Sequence, residues 1–152
     1  FFFQPLHFLI FDPVALLTFG GLTAAAVTLR RRTEWHRRLH FCGMTILLAP
    51  AFGRLLPLPL LQPWSWEATF AVTLLFPIAG MWADVRRGGR VHPAWKWGIG
   101  AIIASFAVTQ ALTYSPAGAA IYDAVTRGSP GAAVDPLAFP PPPEGPLMTG
   151  RS

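Results

Sequence analysis

Apolar residues run through this chain in four long stretches, over 8–29, 39–61, 68–85 and 94–114, separated by short polar gaps. None alternates with the two-residue period of a strand. Each approaches the ~20 residues that an α-helix needs to cross a hydrocarbon core of about 30 Å. Lipid offers no water to pair backbone N–H and C=O, so segments there must pair them internally, as helices do. The pattern predicts an all-α fold: an integral membrane helical bundle with four transmembrane helices over 1–114, followed by a Pro-rich extramembrane tail over 115–152. Composition agrees. The 152 residues are 53% hydrophobic and only 12% charged, about half the usual charged share of ~25%. A soluble core explains one such stretch and is a poor account of four.

Charge adds an orientation. Arg30, Arg31, Arg32, Arg37 and Arg38 fill the first gap and Arg86, Arg87, Arg90 and Lys96 the third, nine of the twelve Lys and Arg in the chain. The gap between the second and third stretches has none. By the positive-inside rule the first and third gaps are cytoplasmic, and the amino end, the second gap and the tail lie outside. Arg30, Arg31, Arg32, Arg37, Arg38, Arg86 and Arg87 are then expected at anionic lipid headgroups, which removes nucleic acid as the expected partner of a +5 chain. An outside amino end that enters a span almost at once leads to the expectation that a signal sequence or an earlier part of the protein precedes Phe1.

Small residues spaced four apart, Gly20 with Ala24 and Gly21 with Ala25, and the run Gly100, Ala104, Ala107, Ala111, mark close helix packing, within the bundle or against a partner helix. Trp35, Trp64, Trp66, Trp82, Trp95 and Trp97 fall near span ends, as an interfacial belt does. The second stretch is interrupted by Pro50, Pro57 and Pro59, which predicts a kink or an early end near Pro57. Arg54, about 21 Å along that helix from His40, needs a partner: Asp12, Glu67, a lipid headgroup or a ligand. Gln110, inside the fourth stretch, is placed to bridge helices by hydrogen bonds.

Other candidate chemistry is sparse. His36 and His40 share a helix face, and His92 is the other histidine on the cytoplasmic side, so these three are the candidates for haem or a metal. Histidine at a headgroup boundary is also ordinary, and four histidines are too few for the histidine boxes of membrane di-iron oxygenases. Cys42 is alone and reads as packing. No nucleophile has a visible base. The sequence requires no cofactor, and contact with haem, pigment or quinone stays open. In the tail, residues 117–127 read as a short helix stopped by Gly128 and Pro130. Beyond it the chain is extended and proline-rich with no core of its own. That part is expected to lie on another polypeptide, through Phe139 and the run Pro140, Pro141, Pro142, Pro143.

The segments RRTEWHRRLHFCGMTILLAPAFGRLL over 31–56 and RVHPAWKWG over 90–98 resemble a widespread family of uncharacterised multi-pass inner-membrane proteins of proteobacteria. That family carries a Trp-His-basic-basic-Leu motif, here Trp35 to Leu39. It also carries a Gly-Arg-Leu ending, here Gly53 to Leu55, and an Arg-Val-His-Pro segment, here Arg90 to Pro93. The resemblance covers roughly residues 10–125. His40 stands where the family more often has methionine, which argues against an essential histidine pair. Its members often have further spans ahead of the first one here, and the family brings no established activity. The resemblance thus implies location and topology.

The functional expectation is a non-catalytic accessory or structural subunit of a larger membrane complex, photosynthetic or respiratory. Its partners would be other membrane subunits, met through the small-residue faces (Gly100, Ala104) and the tail. A haem- or metal-binding redox protein and a small transporter using Arg54 are the alternatives. The charge bias makes a topological prediction. With Cys42 replaced by serine, an impermeant maleimide applied outside the cell should modify Pro130→Cys and spare Gly88→Cys; the reverse pattern refutes the orientation.

Overall fold

The computed structural model describes residues 3–139, whose regular structure is all helical, with no strand among the described residues. Six helices follow in order: α1 Pro5–Thr28, α2 Thr33–Ile46, α3 Ala49–Leu55, α4 Ser65–Gly88, α5 Pro93–Thr113 and α6 Pro116–Thr126. Short 3-10 turns cover Leu58–Leu61 and Pro130–Ala133.

Proline sets most of the helix starts. Pro5, Pro93 and Pro116 each stand in the first turn of their helices, where a missing N–H costs nothing. His92 and Ser115 cap α5 and α6 by accepting from Ala94 N and Gly118 N. Gly89, at φ 71°, closes α4 in the left-handed conformation that a side chain resists.

By length and composition two helices, α1 and α4, can cross a membrane, and the count rises to three, not the expected four, if α5 and α6, bent by 75° at their junction, are taken as one span. The second apolar stretch is not one helix. Its first break comes earlier than the expected site near Pro57, because Pro50 has no N–H for the Ile46 carbonyl and its ring crowds that turn. Leu56, before Pro57, is already extended at ψ 145°. The stretch thus becomes α2, α3 and the Leu58–Leu61 turn.

Helix α1 packs along α2 and α5, α4 lies against α2 and α5, and α3 rests on α4. The main core joins Leu22 and Ala26 of α1, Leu39 and Cys42 of α2, and Ala94, Trp95 and Ile102 of α5. Trp95 is a correction to the aromatic belt: it is 4% exposed. Its ring fills the notch left by Gly80, where a Cβ would stand 2.5 Å from the indole. Trp64, Trp82 and Trp97 do face outward.

The interior is unusually polar and the exterior apolar. Thr45, Thr69, Thr73, Thr109 and Thr113 are buried, and each hydroxyl donates to the carbonyl four residues back. Leu17, Leu75 and Ile103 are exposed. Hydroxyls satisfied inside their own helix can be buried cheaply, and a lipid-facing surface has no need of polar groups.

Part of the tail has an intrachain anchor that the sequence reading missed. Tyr122 of α6 is buried with Leu6 and Ile10 of α1, and its hydroxyl donates to the Gly131 carbonyl at 3.2 Å. Leu6 N, one of the unpaired donors of the first turn of α1, donates to the Pro136 carbonyl at 3.0 Å. Residues up to 136 therefore lean on the bundle itself. Phe139 is half-buried, and Pro140–Pro143 lie outside the described residues.

Helices α2 and α5 meet tightly at Gly98, where an added Cβ would overlap the Cys42 side chain. Gly98→Val should cost about 1–3 kcal/mol by overpacking, read as a lower unfolding midpoint in detergent. Gly100→Val, with open space around it, should leave the midpoint unchanged.

Candidate functional site

Two polar clusters stand at opposite ends of the bundle, and an apolar cavity opens near one of them.

At the end carrying the basic gaps, Asp84 is the hub. Its Oδ2 accepts from Arg38 Nε at 2.5 Å and from Trp95 Nε1 at 2.7 Å. Arg38 also donates to the Glu34 carbonyl at 2.8 Å and to the Glu34 carboxylate. The cluster ties α2, α4 and α5 together. Arg38 is 8% exposed, which corrects its expected place among the headgroup residues: two carboxylates draw it inward. The Arg38 guanidinium holds the Glu34 carboxyl below its usual range, first by its hydrogen bond and then by its charge. Arg30, Arg31, Arg32, Arg37, Arg86 and Arg87 do lie exposed, Arg86 over the Trp82 ring at 3.9 Å. Arg37, Arg87, Arg90 and His92 line a cleft above the hub.

Of the three candidate cofactor histidines, His36 and His92 have hydrogen-bond partners, while His40 Nδ1 is buried with none among the described residues. His36 Nδ1 donates to the Ala26 carbonyl at 2.7 Å, which leaves its Nε2 outward. The His36 and His40 rings stack at 6.0 Å. His92 uses Nδ1 to cap α5 and sets its ring edge-on to Trp35 at 5.5 Å. No group of three or more ligands suited to a metal is found among the described residues.

At the other end Gln110 bridges three helices' worth of chemistry. Its Nε2 donates to Glu67 Oε1 of α4 at 3.1 Å, and its Oε1 faces His7 Nε2 of α1. His7 Nδ1 in turn meets Gln4 Oε1 at 2.9 Å. The ring is 4% exposed, stacked on Trp66 at 5.1 Å and edge-on to Tyr114 at 5.4 Å. Both contacts as placed are to amide oxygens, which would require a proton on each ring nitrogen. Turning the Gln4 amide allows a neutral ring and leaves the Glu67 contact intact, whereas turning Gln110 would set its oxygen against the carboxylate. Glu67 is therefore spoken for by Gln110, and Asp12 is exposed. Neither pairs with Arg54 among the described residues, which leaves a lipid headgroup or a ligand of the partners expected for it. Among the described residues the Arg54 guanidinium donates only to the Pro50 carbonyl of its own helix, at 3.3 Å.

Beside Arg54 lies a cavity of about 470 Å³. Phe8 and Phe11 of α1, the α2–α3 break, Thr69, Phe70 and Thr73 of α4, and Ser105 and Phe106 of α5 form its wall. Sequence reasoning missed His7, Gln4, Trp66 and Trp95 as members of these clusters. A signal existed in the buried polar residues at span ends, but their partners come from other helices and have no fixed spacing in sequence.

No protein family, curated protein or solved structure matches the chain. What the arrangement offers is two cross-helix polar clamps and a space for an apolar body, with no nucleophile–base pair among the described contacts.

The two clamps differ in expected strength. Asp84→Ala removes one of the two carboxylates on Arg38 and strands the Trp95 N–H, and should cost about 2 kcal/mol, less than a fully buried pair because Asp84 keeps some contact with water. Gln110→Leu leaves His7 without its cross-helix partner and should cost about 1 kcal/mol. Unfolding midpoints in detergent check the order; a larger loss for Gln110→Leu would make the His7 cluster the dominant clamp.

Proposed function

We propose that this chain is a non-catalytic accessory subunit of a larger bacterial membrane complex, held there by helix docking. The observation that carries the reading is the direction of the α5 small-residue stripe. Gly100, Ala104, Ala107 and Ala111 are all exposed, and Gly100 has open space where a Cβ would stand. Helix α5 packs within its own bundle through a different face, with Gly98, Ile102, Ser105 and Thr109. In lipid there is no hydrophobic drive between helices, so close backbone approach along a small face is the main source of attraction. A stripe that the bundle itself leaves unused supports docking to a partner. Gly20, Gly21 and Ala24 on α1 are exposed in the same way.

The proposal includes the finer topology. The chain crosses the inner membrane four times, with α2 and α3 as a broken second crossing. The basic gaps are cytoplasmic and the tail is periplasmic. The resemblance to the proteobacterial multi-pass family favours this placement. Phe139 and Pro140–Pro143 form a second contact with the partner, beyond the part of the tail that leans on α1. A photosynthetic or respiratory host suits a small helical subunit, because lipids, pigments and quinones fill the gaps between such subunits.

The test is migration of tagged chain from native membranes. Wild type should run in a large assembly. Gly100→Leu combined with Ala104→Leu should shift it to the size of the free chain with its unfolding midpoint kept. Removing 140–152 should weaken retention without releasing it fully. Wild type running as a free chain, or the double variant running like wild type, overturns the reading.

A further inference from the structure

We infer that the cavity beside the α2–α3 break is a phospholipid site, with one acyl chain inside and the phosphate on Arg54. It rests on the chain being embedded in a bilayer and not on the accessory-subunit reading.

Three independent features point there. The first is the break. Non-helical backbone is tolerated at membrane depth only where it lies in protein or lines a cavity, and discontinuous helices in membrane proteins commonly frame binding sites. Ile46, Ala49, Pro50 and Gly53, from either side of the break, all line this cavity. The second is packing. Helix α1 runs along α2 and α5, while α3 rests on α4. The space between is bridged from α4 by the Trp66 ring, 4.8 Å from Phe11 and 5.4 Å from Phe3. The volume of about 470 Å³ falls within the ~300–1,000 Å³ of small-molecule sites.

The third is the imbalance of donors over acids. Arg54 is a lining residue and is exposed, with a single backbone acceptor. Among the described residues no carboxylate lines the cavity. A cation at the rim with no acid beside it recognises an anionic, acceptor-only head, and a guanidinium matches the paired oxygens of phosphate. From Trp66 to Thr73 the wall continues for about 10 Å along α4, past Thr69 and Thr73, whose hydroxyls are satisfied within their helix. That depth is apolar in effect and suits a hydrocarbon chain.

The experiment is native mass spectrometry of the full chain in detergent. Phosphatidylglycerol is titrated against diacylglycerol with the same acyl chains, which lacks only the phosphate head, and against decylubiquinone. The expected result is saturable binding of one phosphatidylglycerol per chain, with diacylglycerol at least ~10-fold weaker. Arg54→Gln should weaken phosphatidylglycerol about tenfold and leave diacylglycerol unchanged. Ala49→Phe, which fills the cavity from the break, should weaken both. Equal binding of the two lipids, an unaffected Arg54→Gln, or binding without saturation would overturn the site. Tighter binding of decylubiquinone than of phosphatidylglycerol would overturn the lipid assignment in favour of a quinone. None of these outcomes depends on whether the chain runs in a large assembly.

Discussion

Asp84 accepts hydrogen bonds from both Arg38 and Trp95, and the arrangement of the other helices depends on that junction. The carboxylate is four residues from the Gly80 notch into which the Trp95 ring fits, so one turn of α4 both receives the ring and accepts its N–H. Trp95 can lie there only if α5 closes on α2, which Gly98 permits against Cys42. Arg38 then comes from α2 to complete the carboxylate's partners. Such a cluster is costly to desolvate, and its two charge-assisted contacts must offset that cost. Because no member can move without stranding another, the junction fixes rotation about three helix axes at once.

The distribution of polarity follows from the same economy of partners. Buried threonines donate to their own helix carbonyls, so they need nothing from a neighbour and place no demand on helix rotation. The cross-helix polar contacts lie toward the two ends, with Asp84 and the His36 bond to the Ala26 carbonyl at one and Gln110 with His7 at the other. Between them α1, α2 and α5 meet through Leu22, Ala26, Leu39 and Ile102. A bundle tied at both ends and smooth between them leaves its outer faces free. The α5 stripe and the exposed leucines of α1 and α4 can therefore differ in what they face, lipid or another helix, without disturbing the interior.

Much of this was legible in the sequence, for identifiable reasons. The long apolar runs gave α1, α4 and α5 to within about three residues at each end, since length and hydropathy are local properties. Gln110 stood out because an amide in an apolar run is expensive alone. The inward turn of Arg38 was not legible: its neighbours Arg37 and Arg86 are chemically alike and remain at the surface, and only the approach of α4 separates them. Trp95 looked like a belt residue from its position, and the notch that takes it is made by Gly80, fifteen residues away on another helix. The direction of the Gly100 stripe was equally hidden, because α5 carries small residues on two faces.

The second apolar stretch shows how a local rule acquires a distant consequence. Pro50 ends α2 at Ile46 because it cannot supply the next N–H, and that is chemistry of one residue. Once α2 stops, α3 is released to lie on α4, and it cannot also fill the space beside α1. Aromatic rings from α1, α4 and α5 reach into that space but do not close it, since Phe70 and Phe106 stack on each other at 4.0 Å. Carried on α3, Arg54 makes no ion pair with Glu67 among the described contacts, and Glu67 accepts from Gln110 instead. The proline thus produces the opening and, by moving α3, also places a cation at its rim without an internal counter-charge. A proline-free helix over the same residues would bury the wall against α1 and leave neither feature.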